Sequence, residues 1–200
     1  MIEMIDAAVD AFLKSVERAR RLVGEKDLRP VAIHAQFARH EQVDRMKALG
    51  IVPSFFTAHT FFWGDTHIET FGAERAFGIS PLAHAHSIGL KFSNHNDSPV
   101  VPPDILMLTW TAVNRVSRSG VVVGPTERVS PYVALKAVTD WAAYQYHEER
   151  DKGTLEVGKL ADLVVLDRNP LKVDRMQIRD LRVLETIKEG KTIFRRGGVR

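Results

Sequence analysis

The chain has 200 residues, 44% of them hydrophobic and 26% charged, which is enough for the core of one ordinary domain, or a domain and a half, and excludes disorder as the default. Cysteine is absent, which excludes disulfides, thiolate catalysis and thiolate metal ligands and leaves His, Asp and Glu as the side chains able to hold a metal. The net charge is +3, with Lys and Arg interleaved among acids at Glu17-Arg18, Glu148-Glu149-Arg150 and Asp174-Arg175, so there is no basic stripe and no nucleic-acid partner is expected.

From Ile5, apolar residues recur as Ile5, Ala8, Val9, Phe12, Leu13, Val16, Ala19 and Val23, the spacing of one helical face, and Gly24 can end it. The opening Met1 to Asp6 has neither a basic nor an apolar signal region, and no run nears the about 18 apolar residues of a spanning helix. An unprocessed, soluble, cytoplasmic chain with no membrane partner is expected. Val31-Ala32-Ile33-His34 reads as a strand, and Val43, Met46 and Leu49 mark the helix after it, with Gly50 beyond its end. Ile51 to Thr57 reads as a second strand, weakened by Pro53, which cannot donate to a ladder.

Ser80-Pro81 predicts a helix start and Gly89 its break, with Leu90 to Ser93 as a third strand. Pro102-Pro103-Asp104 opens a helix carrying Ile105, Leu108, Thr109, Ala112, Val113 and Val116, and Ser130-Pro131 opens one carrying Val133, Ala137, Val138, Trp141 and Tyr144. After Lys152 the character becomes β: Leu163 to Leu166 is an apolar run, and Val183 to Phe194 reads as two strands around Glu189-Gly190. The pattern predicts an α/β unit over 1–150 and a small β unit over 151–200.

His34 ends the first predicted strand, His59 follows the second and Asp97 follows the third. In a parallel barrel the C-terminal strand ends converge on one face, where catalytic groups gather. A single His at a strand end is more often a satisfied structural residue, so the weight lies in the coincidence of three.

The stretch Gly153-Thr154-Leu155-Glu156-Val157-Gly158-Lys159-Leu160-Ala161-Asp162-Leu163-Val164-Val165-Leu166-Asp167 resembles the signature that closes many amidohydrolase-superfamily enzymes. Ile33 to Gln36, Ala58 to Asp65, Asn96 to Val100 and Ser130 to Leu135 resemble segments of its amidohydrolase 3, or YtcJ-like, branch. The resemblance covers nearly the whole chain. It implies the C-terminal half of a metal-dependent-hydrolase TIM-like (β/α) barrel, followed by part of a small β-sandwich domain. It also implies one or two divalent ions, with zinc the expectation for the complete enzyme, and a small-molecule substrate with a hydrolysable C–N bond.

Position by position, the resemblance implies His34 as the ligand after the fifth barrel strand, His59 after the sixth and Asp97 after the eighth. His67 competes with His59, which is preferred because it lies nearer the strand exit. Asp97 matches the carboxylate that takes a proton from metal-activated water and returns one to the departing amine. The resemblance begins at the helix before the fifth strand, so either a missing N-terminal half or a second copy is the expected partner. An open half-barrel exposes strand edges and predicts self-association.

His84-Ala85-His86 mimics a His-X-His metal pair, but residues two apart on a helix face different ways, and the pair reads as ordinary helix histidines. Asn94, His95 and Asn96 suit either a turn or a role beside Asp97, and no role is assigned to them. Trp63, Phe61, Phe62 and Phe71 suit either packing or a substrate pocket, whereas Trp110 and Trp141 read as core. Two functional readings remain: a C–N hydrolase completed by another half, and a non-catalytic fragment with a structural or self-associating role.

Overall fold

A computed structural model describes residues 6–197. Helix α1 (Asp6–Val23) buries Val9 and Leu13 and ends at Gly24, whose φ of 77° suits glycine. Strand β1 (Val31–His34), helix α2 (His40–Ala48) and strand β2 (Val52–Phe55) follow. Four short helices come next: α3 (Ala58–Phe62), α4 (Gly64–Phe71), α5 (Ala73–Phe77) and α6 (Leu82–Ser87). Strand β3 (Ser93–Asn94), the buried helix α7 (Ile105–Asn114) and helices α8 (Pro131–Ala137) and α9 (Asp140–Gln145) complete this part. The tail holds β4 (Leu163–Leu166), β5 (Val183–Lys188) and β6 (Lys191–Arg195).

Strands β1, β2 and β3 form a parallel sheet in that order, with β2 central. Pro53 is nevertheless inside β2. The amide of Val52 donates to Pro30 on the β1 side, while the carbonyl of Phe55 accepts from the amide of His95 on the β3 side. Alternation therefore turns the Pro53 nitrogen toward β3, which starts only opposite Ser54, so no ladder bond is lost. The resemblance would separate a sixth from an eighth strand by a seventh. Here β2 and β3 pair directly, Ser54 with Ser93 and Phe55 with Asn94.

Other expectations shift for local reasons. The predicted strand over Leu90 to Ser93 shrinks to Ser93–Asn94, because Leu90 bonds back to Ala85 to close α6. Ser80 is not the cap of α6: its φ is 46°, and the helix starts at Leu82. The carboxylate of Glu127, distant in sequence, instead accepts from the amides of Ala83 and His84 at 3.0 and 3.1 Å. The single helix predicted after Ser130 divides at Thr139 (φ −131°, ψ −93°) into α8 and α9. Asp104 and Ser130 do cap their helices, accepting from Met107 and Val133.

The main core gathers α1, α2, β1, β2, α6, α7 and α8 around Phe55, Phe92, Trp110 and Trp141, with Phe92 and Trp141 edge to face at 4.9 Å. Trp110 Nε1 donates to the carbonyl of Met176 at 3.0 Å and Asn114 Nδ2 to that of Arg175 at 2.9 Å, tying the 3-10 turn Arg175–Asp180 to α7. The tail strands form an antiparallel sheet, and Glu189 and Gly190, both at positive φ, make its tight β5–β6 turn. Its side chains are poorly covered: Val164, Ile193 and Phe194 are 54, 64 and 46% exposed. Among the described residues, no helix is long and apolar enough to cross a membrane.

Candidate metal centre

The C-terminal ends of β1, β2 and β3 carry the residues of interest. His34 is the last residue of β1; it and Ala35 hold left-handed backbone (φ 63° and 42°), as does Asp97 (φ 57°) three residues beyond β3. Such conformations cost about 1–3 kcal/mol each for non-glycine residues and gather where function fixes side-chain direction. Asn94 braces the site: its Oδ1 accepts from the amide of Thr57 at 3.1 Å and its Nδ2 donates to Thr57 Oγ1 at 2.8 Å. Thr57 Oγ1 in turn meets Thr111 Oγ1 on α7 at 2.8 Å, so the end of β3, the start of α3 and α7 are locked together.

His34 and Asp97 approach, with Nε2 to Oδ2 at 3.4 Å. The group able to hold an ion is His34, His95 and Asp97, whose ligand atoms lie within 4.8 Å of one another. His95 is the residue the sequence reading left without a role. Its ring lies 4.9 Å from that of His34 and stacks at 5.3 Å on Phe56. The available signal was its position, immediately after β3 and two residues before Asp97.

His59 is the second residue of α3, its ring centroid 6.1 Å from that of His34, wedged between Phe56 at 4.6 Å and Trp63 at 4.9 Å. His67, on α4, stacks on His59 at 5.7 Å, and its Nε2 meets the amide nitrogen of Gln36 at 3.2 Å. Four imidazoles and a carboxylate thus share one region, with His34, His95 and Asp97 the tightest part.

Burial sets the charge state of the rings. Desolvation pushes His59 down to about 3, reinforced by His67, His34 and His95. Desolvation likewise pushes His95 down to about 4, with His34 adding to it and Asp97 and the backbone at Ser54 and Phe55 opposing it. Both rings are neutral at pH 7, the form that binds metal. Below the ordinary value of 6.5 the unfolded chain takes up protons that these folded sites refuse, so their contribution to stability falls with pH. The melting temperature of chelator-treated protein is expected to fall between pH 6.5 and 5, above the carboxylate range. Replacing His59 and His95 by Gln should flatten that slope, and an unchanged slope would place its origin elsewhere.

The other sequence candidates lie apart. His84 pairs with Asp44 at 2.8 Å and stacks on His40 at 4.0 Å, while His86 faces Trp141. Asp65, inside the Ala58 to Asp65 motif, bonds Ser117 and Ser119 and braces α4 instead of joining the cluster. Phe61 and Phe62 line a cavity of about 280 Å³ with Ala58, Asn96, Met107 and Arg179, and none of the cluster lines it. Trp63 packs on His59, and Phe71 on Phe37. The larger groove, about 1030 Å³ between α8, α9 and β4, includes none of the cluster.

The sequence profile of the amidohydrolase family matches residues 4–194. The chain belongs to the amidohydrolase family. It is 29% identical over 196 residues to the N-substituted formamide deformylase of Arthrobacter pascens, covering 98% of this chain and 36% of that protein. It is 27% identical over 198 residues to the YtcJ amidohydrolase of Bacillus subtilis, covering 94% of this chain and 36% of that protein. An uncharacterized metal-dependent hydrolase from Pyrococcus furiosus superposes with a TM-score of 0.69 at 33% identity, over 84% of this chain and 32% of that one. The amidohydrolase chain described here thus spans about a third of the length of these relatives.

The residues present fit a divalent ion. Both ring nitrogens of His34, Nδ1 of His59 and Nε2 of His95 are buried and make no hydrogen bond, and Asp97 supplies a carboxylate to the same space. Orphaned buried nitrogens of this kind are uncommon in folded chains, and a bound cation would account for one on each ring.

Proposed function

We propose that this chain carries part of the active site of a metal-dependent hydrolase acting on non-peptide C–N bonds of small molecules, of amide, N-acyl or formamide type. The observation that supports it is the approach of His34 to Asp97 at 3.4 Å at the C-terminal end of a parallel sheet, with buried ring nitrogens of His34, His59 and His95 that make no hydrogen bond. A bound divalent ion, zinc by preference for nitrogen and carboxylate ligands, would supply Lewis acidity and bring water's pKa from about 15.7 toward about 7. His34 and His59, the latter kept neutral by burial, would hold the ion, and Asp97 would accept a proton and deliver it to the leaving amine. His59 is favoured over His67 because its ring lies beside that of His34, whereas Nε2 of His67 is engaged by Gln36. We read residues 1–150 as the barrel portion and 151–200 as strands of a composite β domain.

The test is release of amine from N-substituted formamides and N-acyl amines by zinc-loaded protein. Release that a chelator stops and zinc restores is expected; release insensitive to chelation would overturn the reading.

A second reading, a non-catalytic self-associating piece, is favoured by the exposed Val164, Ile193 and Phe194 of the tail sheet and by the open edge of β1, where Ile33 is 45% exposed. Self-association also belongs to the first reading, in which a second copy or an N-terminal half completes the site. Sizing chromatography is expected to give a species larger than a monomer, and a clean monomer would contradict self-association under either reading.

A further inference from the structure

Behind His95, away from the other ligands, runs a chain of side chains that no part of the proposed reaction uses. His95 Nδ1 meets Ser54 Oγ at 3.0 Å, Ser54 Oγ meets Ser93 Oγ at 2.8 Å, and Ser93 Oγ meets Gln145 Oε1, at the end of α9, at 2.6 Å. Ser54 and Ser93 are buried, on adjacent strands β2 and β3. Each hydroxyl has one proton and each link needs one. Ser93 Oγ is oriented to donate to both Ser54 Oγ and Gln145 Oε1 but carries one proton, and the amide oxygen can only accept; with that proton given to Gln145, the contact between the two serines takes the proton of Ser54, and Ser54 accepts from His95. The proton count leaves the hydrogen on Nδ1 of His95 and a bare lone pair on Nε2. That Nε2 is buried and without a hydrogen bond, in the group formed with His34 and Asp97.

We propose that Ser54, Ser93 and Gln145 form a tautomer lock that presents His95 Nε2 as a further metal ligand beside His34 and Asp97. Its ligand role rests on the metal-dependent reading above, and the lock itself does not. A ligating imidazole is normally oriented by a partner on its other nitrogen, and loss of such a partner typically weakens metal binding by about 10–100-fold. Here the partner is relayed across two strands to the end of α9, so Gln145 is a positioning residue outside the group His34, His95 and Asp97.

The chain has a direction, which makes it testable. Gln145→Glu keeps an acceptor at its end. Gln145→Lys offers only donors, so every link reverses and the His95 proton moves to Nε2. Ser93→Ala removes the relay. Long-range proton–nitrogen NMR correlations on metal-free, nitrogen-15-labelled protein read the tautomer directly, and a cobalt(II) titration reads the consequence.

Wild type and Gln145→Glu should show a protonated Nδ1 and bind cobalt alike. Gln145→Lys should show a protonated Nε2, and it and Ser93→Ala should bind about 10–100-fold more weakly. A protonated Nε2 in wild type would overturn the lock. Cobalt uptake that His34→Ala abolishes but Gln145→Lys leaves intact would overturn the ligand role of His95 while the metal-dependent reading stands. A protonated Nδ1 with no cobalt uptake by wild type would overturn that reading, and the ligand role with it.

Discussion

Replacing His34 by leucine is expected to raise the melting temperature of the metal-free chain while abolishing its metal binding. His34 is buried, and neither ring nitrogen makes a hydrogen bond; Asp97 Oδ2 lies 3.4 Å from Nε2 without completing one. Burying an unsatisfied polar group costs about 1–3 kcal/mol, and an apolar side chain of similar size removes that cost. Repacking around a branched side chain offsets part of the gain, leaving about 1 kcal/mol, or about 2–4 °C for a chain of this size. The affinity loss should exceed the about 10–100-fold typical of a ligand's supporting partner. Calorimetry with chelator and a zinc titration measure the two quantities. A large destabilisation of the metal-free variant would instead mark His34 as a structural residue.

Arg115→Met is expected to destabilise the fold by about 3–5 kcal/mol without involving the metal. Arg115 is fully buried at the end of α7, in left-handed backbone, and its guanidinium donates to the carbonyls of Ile79, Ser80 and Val123. Desolvation lowers it to about 10, with the nearby Glu127 acting to raise it, so it remains charged at neutral pH. Methionine fills similar space but leaves the carbonyls of Ile79 and Val123 without the donor they have here, that of Ser80 with the amide of Leu82 alone, and Glu127 without its buried cation. Gly124 shows how tightly this corner is closed, since a Cβ there would lie 1.9 Å from the carbonyl oxygen of Phe77. Urea denaturation at pH 7 measures the effect, and a loss below about 1 kcal/mol would mean that water replaces the guanidinium.

Local signals were legible where one element decides its own structure. The run Val31 to His34 is β1, Asp104 and Ser130 cap α7 and α8, and Glu189-Gly190 turns β5 into β6. The strand-exit rule picks out His34 and Asp97, which approach at 3.4 Å, and His59, whose ring lies 6.1 Å from that of His34. What was not legible depends on partners distant in sequence. Glu127 caps α6 from more than forty residues away, so Ser80 was a reasonable but incorrect choice. Arg115 reads in sequence as a polar residue after a helix, and only the closure of the Ile79 and Val123 segments around it makes it core. In the sequence His95 suits either a turn or a role beside Asp97, and only the pairing of β3 with β2 brings its ring beside that of His34.

The most direct measurement is the metal content of purified wild-type protein after zinc loading and exhaustive dialysis, with Asp97→Ala alongside. Close to one tightly held ion per chain, lost in the variant, is the expected result. A wild-type chain that retains no ion, or a variant that retains as much as wild type, would contradict a metal centre built on these strand ends.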